Sequence, residues 1–179
     1  MSEMSSHPRD LLLPAASLHA LGRALEAELG ADPAARALQN AGHAAGDAIF
    51  AALVAQDDLA DLPESEFWQR LDAFFQEHGW GHLHFEAAHA GIGTLESSDW
   101  AEADPDAMQI RPSCHMTSGL IANLLGRVAG EEVGVLEVEC RSRGDLRCRF
   151  LFGGAPALQR VWLALDEGKS VEEALGQLT

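Results

Sequence analysis

Three cysteines, Cys114, Cys140 and Cys148, carry the clearest capacity for chemistry in this chain. Two of them stand eight residues apart in LEVECRSRGDLRCRF, residues 136–150, with Gly144 midway. The Gly-Asp step predicts a turn, so the spacing predicts a hairpin with Cys140 and Cys148 directly opposed. Opposed Cβ atoms lie about 4.5–5.5 Å apart. Two thiolates that close can share a tetrahedral zinc, whose bonds to sulfur are about 2.3 Å. Cys114 is expected in the first turn of a helix, where the dipole favours the thiolate that a metal needs. An odd number of cysteines cannot all pair within the chain, which argues against a disulfide framework.

A closed site needs a fourth ligand. Glu137 and Glu139 are nearest, but both lie at odd offsets from Cys140, and in a regular strand both point to the opposite face. A bulge could re-aim Glu137. His82, His84, His89 and His115 are alternative ligands. From spacing alone, zinc competes with buried structural cysteines and with an opportunistic disulfide. Cys114 beside His115 offers a nucleophile and a base by residue type, but neighbours on a helix diverge by about 100 degrees.

The elements that position these residues can be read from periodicity. Helices are expected at 17–29, with Ser17 as N-cap, at 33–56, and at 64–79 with the stripe Phe67, Leu71, Phe74, Phe75. Gly42 and Gly46 share one helix face and permit close approach of another backbone. Residues 57–63 read as a loop. Strands are expected at 80–88 and 93–96, then a long irregular connection, 97–112, able to serve as a lid. A helix follows from Ser113, its expected N-cap, through Val128. The hairpin comes next, then helices at 156–168 and 170–179, the last with a Ser170/Glu173 capping box. Helices, strands, helix and hairpin in this order give an α+β domain with a mostly antiparallel sheet. Residues 1–15 are expected to form a disordered or loosely attached N-terminus, and 16–179 a single domain.

Composition bounds the partners. Acidic residues number 28 against 12 basic ones, a formal net charge of −16. Without a basic stripe, neither nucleic acid nor an anionic membrane surface is an expected partner. No apolar run reaches the roughly 18 residues of a membrane span. No secretory signal is visible, so a cytoplasmic location with reduced thiols is expected. GIGTLE has Gly-x-Gly without a third glycine or a following helix, so no nucleotide fingerprint is present.

The run from Cys114 to Phe152, CHMTSGLIANLLGRVAGEEVGVLEVECRSRGDLRCRFLF, resembles the core of the 4-vinyl reductase domain family. The matching features are a cysteine opening a small-residue helix, then Glu-Val-Glu-Cys, Arg-Gly-Asp and Cys-Arg-Phe. The spacings are similar to the zinc site of the family's phenol-responsive transcriptional activators. That resemblance implies Cys114, Glu137, Cys140 and Cys148 as ligands of a structural zinc. QNAGHAAG, residues 39–46, is similar to an early stretch of the same domain.

The resemblance implies an α+β fold shared with the nitric-oxide-signalling and Bet3-like superfamily. It also implies a buried pocket for a small hydrophobic or aromatic molecule, a homodimer, and a protein partner that receives the signal. The pocket is expected between sheet and Cys114 helix, lined by Phe74, Phe85, Trp100, Leu120 and Leu124. Where the phenol sensors place a histidine and a tryptophan on the phenolic hydroxyl, this chain has Phe74 or Phe75 and Thr94. The implied function is therefore a non-enzymatic hydrophobic-ligand sensor or carrier, rather than a phenol sensor. Tetrapyrrole binding in bacteriochlorophyll synthesis, or an interaction subunit with a vestigial pocket, are the alternatives within the family.

Overall fold

The computed structural model describes residues 12–54, 62–89 and 91–178. The expected N-terminal segment 1–15 therefore falls mostly outside the described residues, as does most of the expected loop 57–63. Among the described residues, six helices and four strands run in the order α1 (Ala15–Leu29), α2 (Ala31–Val54), α3 (Glu64–Glu77), β1 (His84–His89), β2 (Ile92–Ser97), α4 (His115–Ala129), β3 (Gly134–Glu139), β4 (Cys148–Gly153), α5 (Ala155–Asp166) and α6 (Val171–Gly176). A 3-10 turn, Arg141–Arg143, joins β3 to β4. The strands form one antiparallel sheet in the order β1-β2-β4-β3. This is the α+β arrangement expected.

Strand alternation divides the core in two. One face carries Phe85, Leu95, Phe150 and Phe152 against Phe67, Leu71 and Phe75 of α3 and Leu120, Ile121 and Leu124 of α4. The other carries Ile92, Val138 and Leu151 against Leu158, Val161 and Ala164 of α5 and Ala174 and Leu175 of α6. Arg149 on this second face bridges Glu96, Glu139 and Glu172, tying α6 to the sheet. The α6 capping box is present as expected.

The paired glycines of α2 serve a helix–helix contact. A Cβ on Gly42 would lie 1.8 Å from the Met116 carbonyl oxygen, and one on Gly46 2.7 Å from Asn123 Cβ. Gly119 of α4 answers from the other side, where a Cβ would come within 1.9 Å of the Gln39 carbonyl oxygen. Two helix starts differ from expectation. Ser17 lies inside α1, its N–H donating to the Pro14 carbonyl, because proline's fixed φ lets the helix begin earlier. Ser113 precedes the N-cap of α4, which is Cys114 itself.

Candidate functional site

The register of β3 against β4 slips by one residue. Glu137 pairs with Phe150, whereas Glu139 pairs with Arg149, so Val138 is the extra residue of a bulge. This cancels the odd offset between Glu137 and Cys140 and puts both on the α4 face of the sheet. Continuing the Glu139–Arg149 register sets Cys140 opposite Cys148. Arg143 holds the bulge by donating to the Val138 carbonyl at 3.0 Å. Its guanidinium also meets Asp145, which accepts from the Cys140 N–H at 2.8 Å. Gly144 supplies the left-handed residue (φ 95°) that closes the turn.

Cys114 meets this hairpin from the N-cap of α4. Its sulfur lies 3.8 Å from those of both Cys140 and Cys148. A tetrahedron with metal–sulfur bonds of about 2.3 Å has edges of about 3.8 Å. A disulfide would need sulfurs about 2.05 Å apart, and the three thiols are free. One Glu137 carboxylate oxygen completes a set of four donor atoms, all within 4.8 Å of one another. Glu137 Oε2 accepts the Cys114 N–H at 2.8 Å, whereas Oε1 is buried with no hydrogen-bond partner. A buried acceptor without a donor is costly, and a cation relieves it. The residues present therefore fit a metal ion, and this cluster could hold one.

The protonation pattern agrees with a site built for a cation. Hydrogen bonds from the Cys114 and Cys148 thiols pull the Cys140 thiol far below its usual range. The reciprocal bond to Cys140 pushes Cys114 well up. For Cys148 the bond with Cys114 pulls down, but the bond with Cys140 and burial together push it up. Burial first, then the Cys140 charge, raises Glu137 well above the carboxylate range. Four anions cannot share this pocket alone, and a divalent ion inverts that constraint.

Two further parts escaped the sequence reading. Glu102, buried in the connection before α4, accepts the N–H groups of Met116 and Thr117 at 2.9 and 2.7 Å and the Thr117 hydroxyl. It thereby caps α4, with Trp100 donating to the same hydroxyl at 2.7 Å. Desolvation pushes its carboxyl up to about 7 despite these bonds. Nothing periodic marks Glu102 among the chain's many acids. Ser142, buried in the 3-10 turn between Cys140 and Cys148, ties the connection to that turn. Its hydroxyl accepts from Asp104 N–H at 2.9 Å and its carbonyl from Gln109 N–H at 2.7 Å.

Of the five expected pocket residues, Trp100, Leu120 and Leu124 are fully buried in the core beneath α4. Phe74 is half-buried and stacks on His78. Phe85 lines a groove of about 650 Å³ where the ends of β1, β2 and β4 meet α3 and the C-terminal end of α4. Trp68 stacks on Phe85 at 4.1 Å, and Phe152 leans on both at 5.7 and 6.1 Å. Gly93 forms the floor, where a Cβ would strike the Phe152 ring at 2.2 Å. A second cavity of about 700 Å³ lies between α1, the start of α2 and the connection. It has no aromatic carbocycle in its lining, and its charges are paired as Arg23–Asp104 and Arg111–Asp32.

The alternative histidines stand apart from the cysteine cluster. His82 faces Asp72, His84 faces Glu86, His89 is half-buried in β1, and His115 borders the second cavity. Thr94 pairs with Leu151 and so points to the α5 face, away from the aromatic groove.

Comparison with known proteins places this geometry. No curated protein matches the chain. Among solved structures, the phenol-responsive sensory domain of the transcription activator PoxR, crystallised with phenol, is similar with a TM-score of 0.66 at 21% identity, over 96% of this chain and 84% of that one. A vinyl-4-reductase family protein from Methanocaldococcus jannaschii is similar with a TM-score of 0.52 at 19% identity, over 81% of this chain and 82% of that one. These likenesses are likenesses of fold. Residues 101–153, which hold Cys114, the bulged hairpin and both remaining cysteines, match the family profile of the 4-vinyl reductase domain, and the chain carries that domain.

Proposed function

We propose that this chain is a ligand-binding domain, a sensor or carrier, that takes a small hydrophobic or aromatic molecule. The observation that carries this reading is the groove walled by Trp68, Phe85 and Phe152 over Gly93. Its volume of about 650 Å³ falls within the range of small-molecule sites, which are largely apolar with few polar groups. The fold it shares with a phenol-responsive sensory domain supports the same role.

The three cysteines and Glu137 are, in this proposal, the four ligands of a structural zinc. With four protein ligands no position stays open for water, so zinc would supply cross-linking and no Lewis-acid step. Cys114 would anchor the start of α4, and Cys140, Cys148 and Glu137 would anchor the hairpin. β4 leads from Cys148 to Phe152 in the groove wall, so the clamp and the groove share a strand. A cytoplasmic location suits reduced thiols. Output would pass by contact, within a homodimer or to another protein.

Elemental analysis and melting curves test the clamp. One zinc per chain, and a lower melting temperature after chelation, are expected. A metal-free protein whose melting ignores chelator and added zinc would sink it. Organic extraction of protein purified from its own host tests the ligand role, with an aromatic or hydrophobic small molecule expected.

A further inference from the structure

The aromatic groove has a charge pattern as distinctive as its walls. Glu64, Glu131 and Glu132 stand in its lining, and no lysine, arginine or histidine does among the described residues. Glu64 is held at the aromatic wall, its carboxylate accepting from the Trp68 indole N–H at 3.4 Å. Leu125, Val128 and Ala129, from the last two turns of α4, also line the groove, so the negative end of that helix dipole faces it. At the opposite rim the positive end of α3 is offset by Glu64 and Glu66 in its first turn. The second cavity is different, lined by His19, Arg23, Arg111 and His115 as well as by acids.

An anion entering the groove would meet three carboxylates without a counter-charge. A cation would meet those carboxylates at the mouth and the faces of Trp68, Phe85 and Phe152 within. Ring faces attract cations through their quadrupole, most strongly for tryptophan. From this juxtaposition we infer that the groove selects a cationic aromatic amphiphile, an amine or quaternary ammonium carried on an aromatic or apolar body. The inference rests on the proposed ligand-binding role of the same groove, and adds the sign of the ligand's charge. The ring would lie on the Trp68–Phe85 stack, and the cation would point to Glu131 and Glu132, which are exposed. The chain's net charge of −16 would draw such a ligand in and repel its anionic counterpart.

Three probes of one shape separate the possibilities: phenethylammonium, 2-phenylethanol and phenylacetate. Calorimetric titration of the full chain measures affinity, and the Trp68 indole ¹H–¹⁵N resonance reports occupancy of this groove. Phenethylammonium is expected to bind about tenfold more tightly than the alcohol at low salt. Phenylacetate is expected to be weakest, and high salt to narrow the gap. The exposed pair E131Q/E132Q should remove most of the cation preference, leaving the alcohol's affinity and the melting temperature unchanged. If the alcohol or the acid binds as well as the cation while moving the Trp68 signal, the charge inference is overturned and the groove reading stands. If none of the three moves that signal at millimolar concentration, the groove reading falls with it.

Discussion

Replacing Glu102 by glutamine should change how stability depends on pH. The Glu102 carboxyl, desolvated beneath α4, titrates near 7 in the folded chain against an ordinary value of 4.5. The folded state thus holds this proton more tightly than the unfolded state. The stabilisation is complete below the unfolded value and is lost as pH rises through the folded one. Between about pH 5.5 and about pH 8 the loss comes to about 2 kcal/mol, from the two titration curves. For a domain of this size that is about 4–8 °C of melting temperature. Glutamine cannot ionise, so this component disappears. It also cannot accept from Met116 and Thr117 with both side-chain atoms, which costs about 1 kcal/mol at every pH. The assay is denaturant unfolding of both proteins across this range at one fixed zinc concentration. The cysteine cluster is common to both, so its own pH dependence cancels in the difference. The wild type's advantage over E102Q should shrink steadily as pH rises. A difference that stays flat, or grows, would refute the reasoning that desolvation dominates at Glu102.

Other substitutions test the packing and the clamp. Gly42→Ala should destabilise by roughly 1–3 kcal/mol in chemical denaturation, because its Cβ would overlap the Met116 carbonyl oxygen at 1.8 Å. Gly22→Ala, with its nearest neighbour at 4.0 Å, should instead gain stability from helix propensity. Glu137→Gln should weaken zinc binding, read by competition with a chromophoric chelator, by at least about 100-fold, since even outer-shell changes cost about 10–100-fold. Ser142→Ala, which leaves Asp104 N–H without its acceptor, should cost about 1–3 kcal/mol of stability.

The parts of the site legible in the sequence are those set by spacing along one element. The positions of Cys140 and Cys148 about Gly144 fixed the hairpin, and their offset from Glu137 required a bulge. The extra residue is Val138, whose carbonyl is taken by Arg143 from across the turn. The helices followed from apolar periodicity, and the glycines of α2 announced the close contact with α4. Parts assembled from distant segments left no local trace. Glu102 caps a helix that begins 13 residues later, displacing Ser113 from the role its type suggested. The groove needs Trp68 from α3, Phe85 from β1, Phe152 from β4 and the end of α4 together. No periodicity within a single element encodes that meeting, so of the five expected pocket residues Phe85 reaches the groove and Trp100, Leu120 and Leu124 lie fully buried in the core.

Native mass spectrometry of protein purified from its own host bears most directly on a zinc-clamped, ligand-binding domain, because it reports metal, small molecule and assembly in one spectrum. The expected spectrum shows one zinc per chain together with a bound organic mass that leaves on mild activation, while the zinc stays until the chain unfolds. A bare chain mass, with no metal and no adduct under the gentlest conditions, would contradict both the clamp and the ligand role.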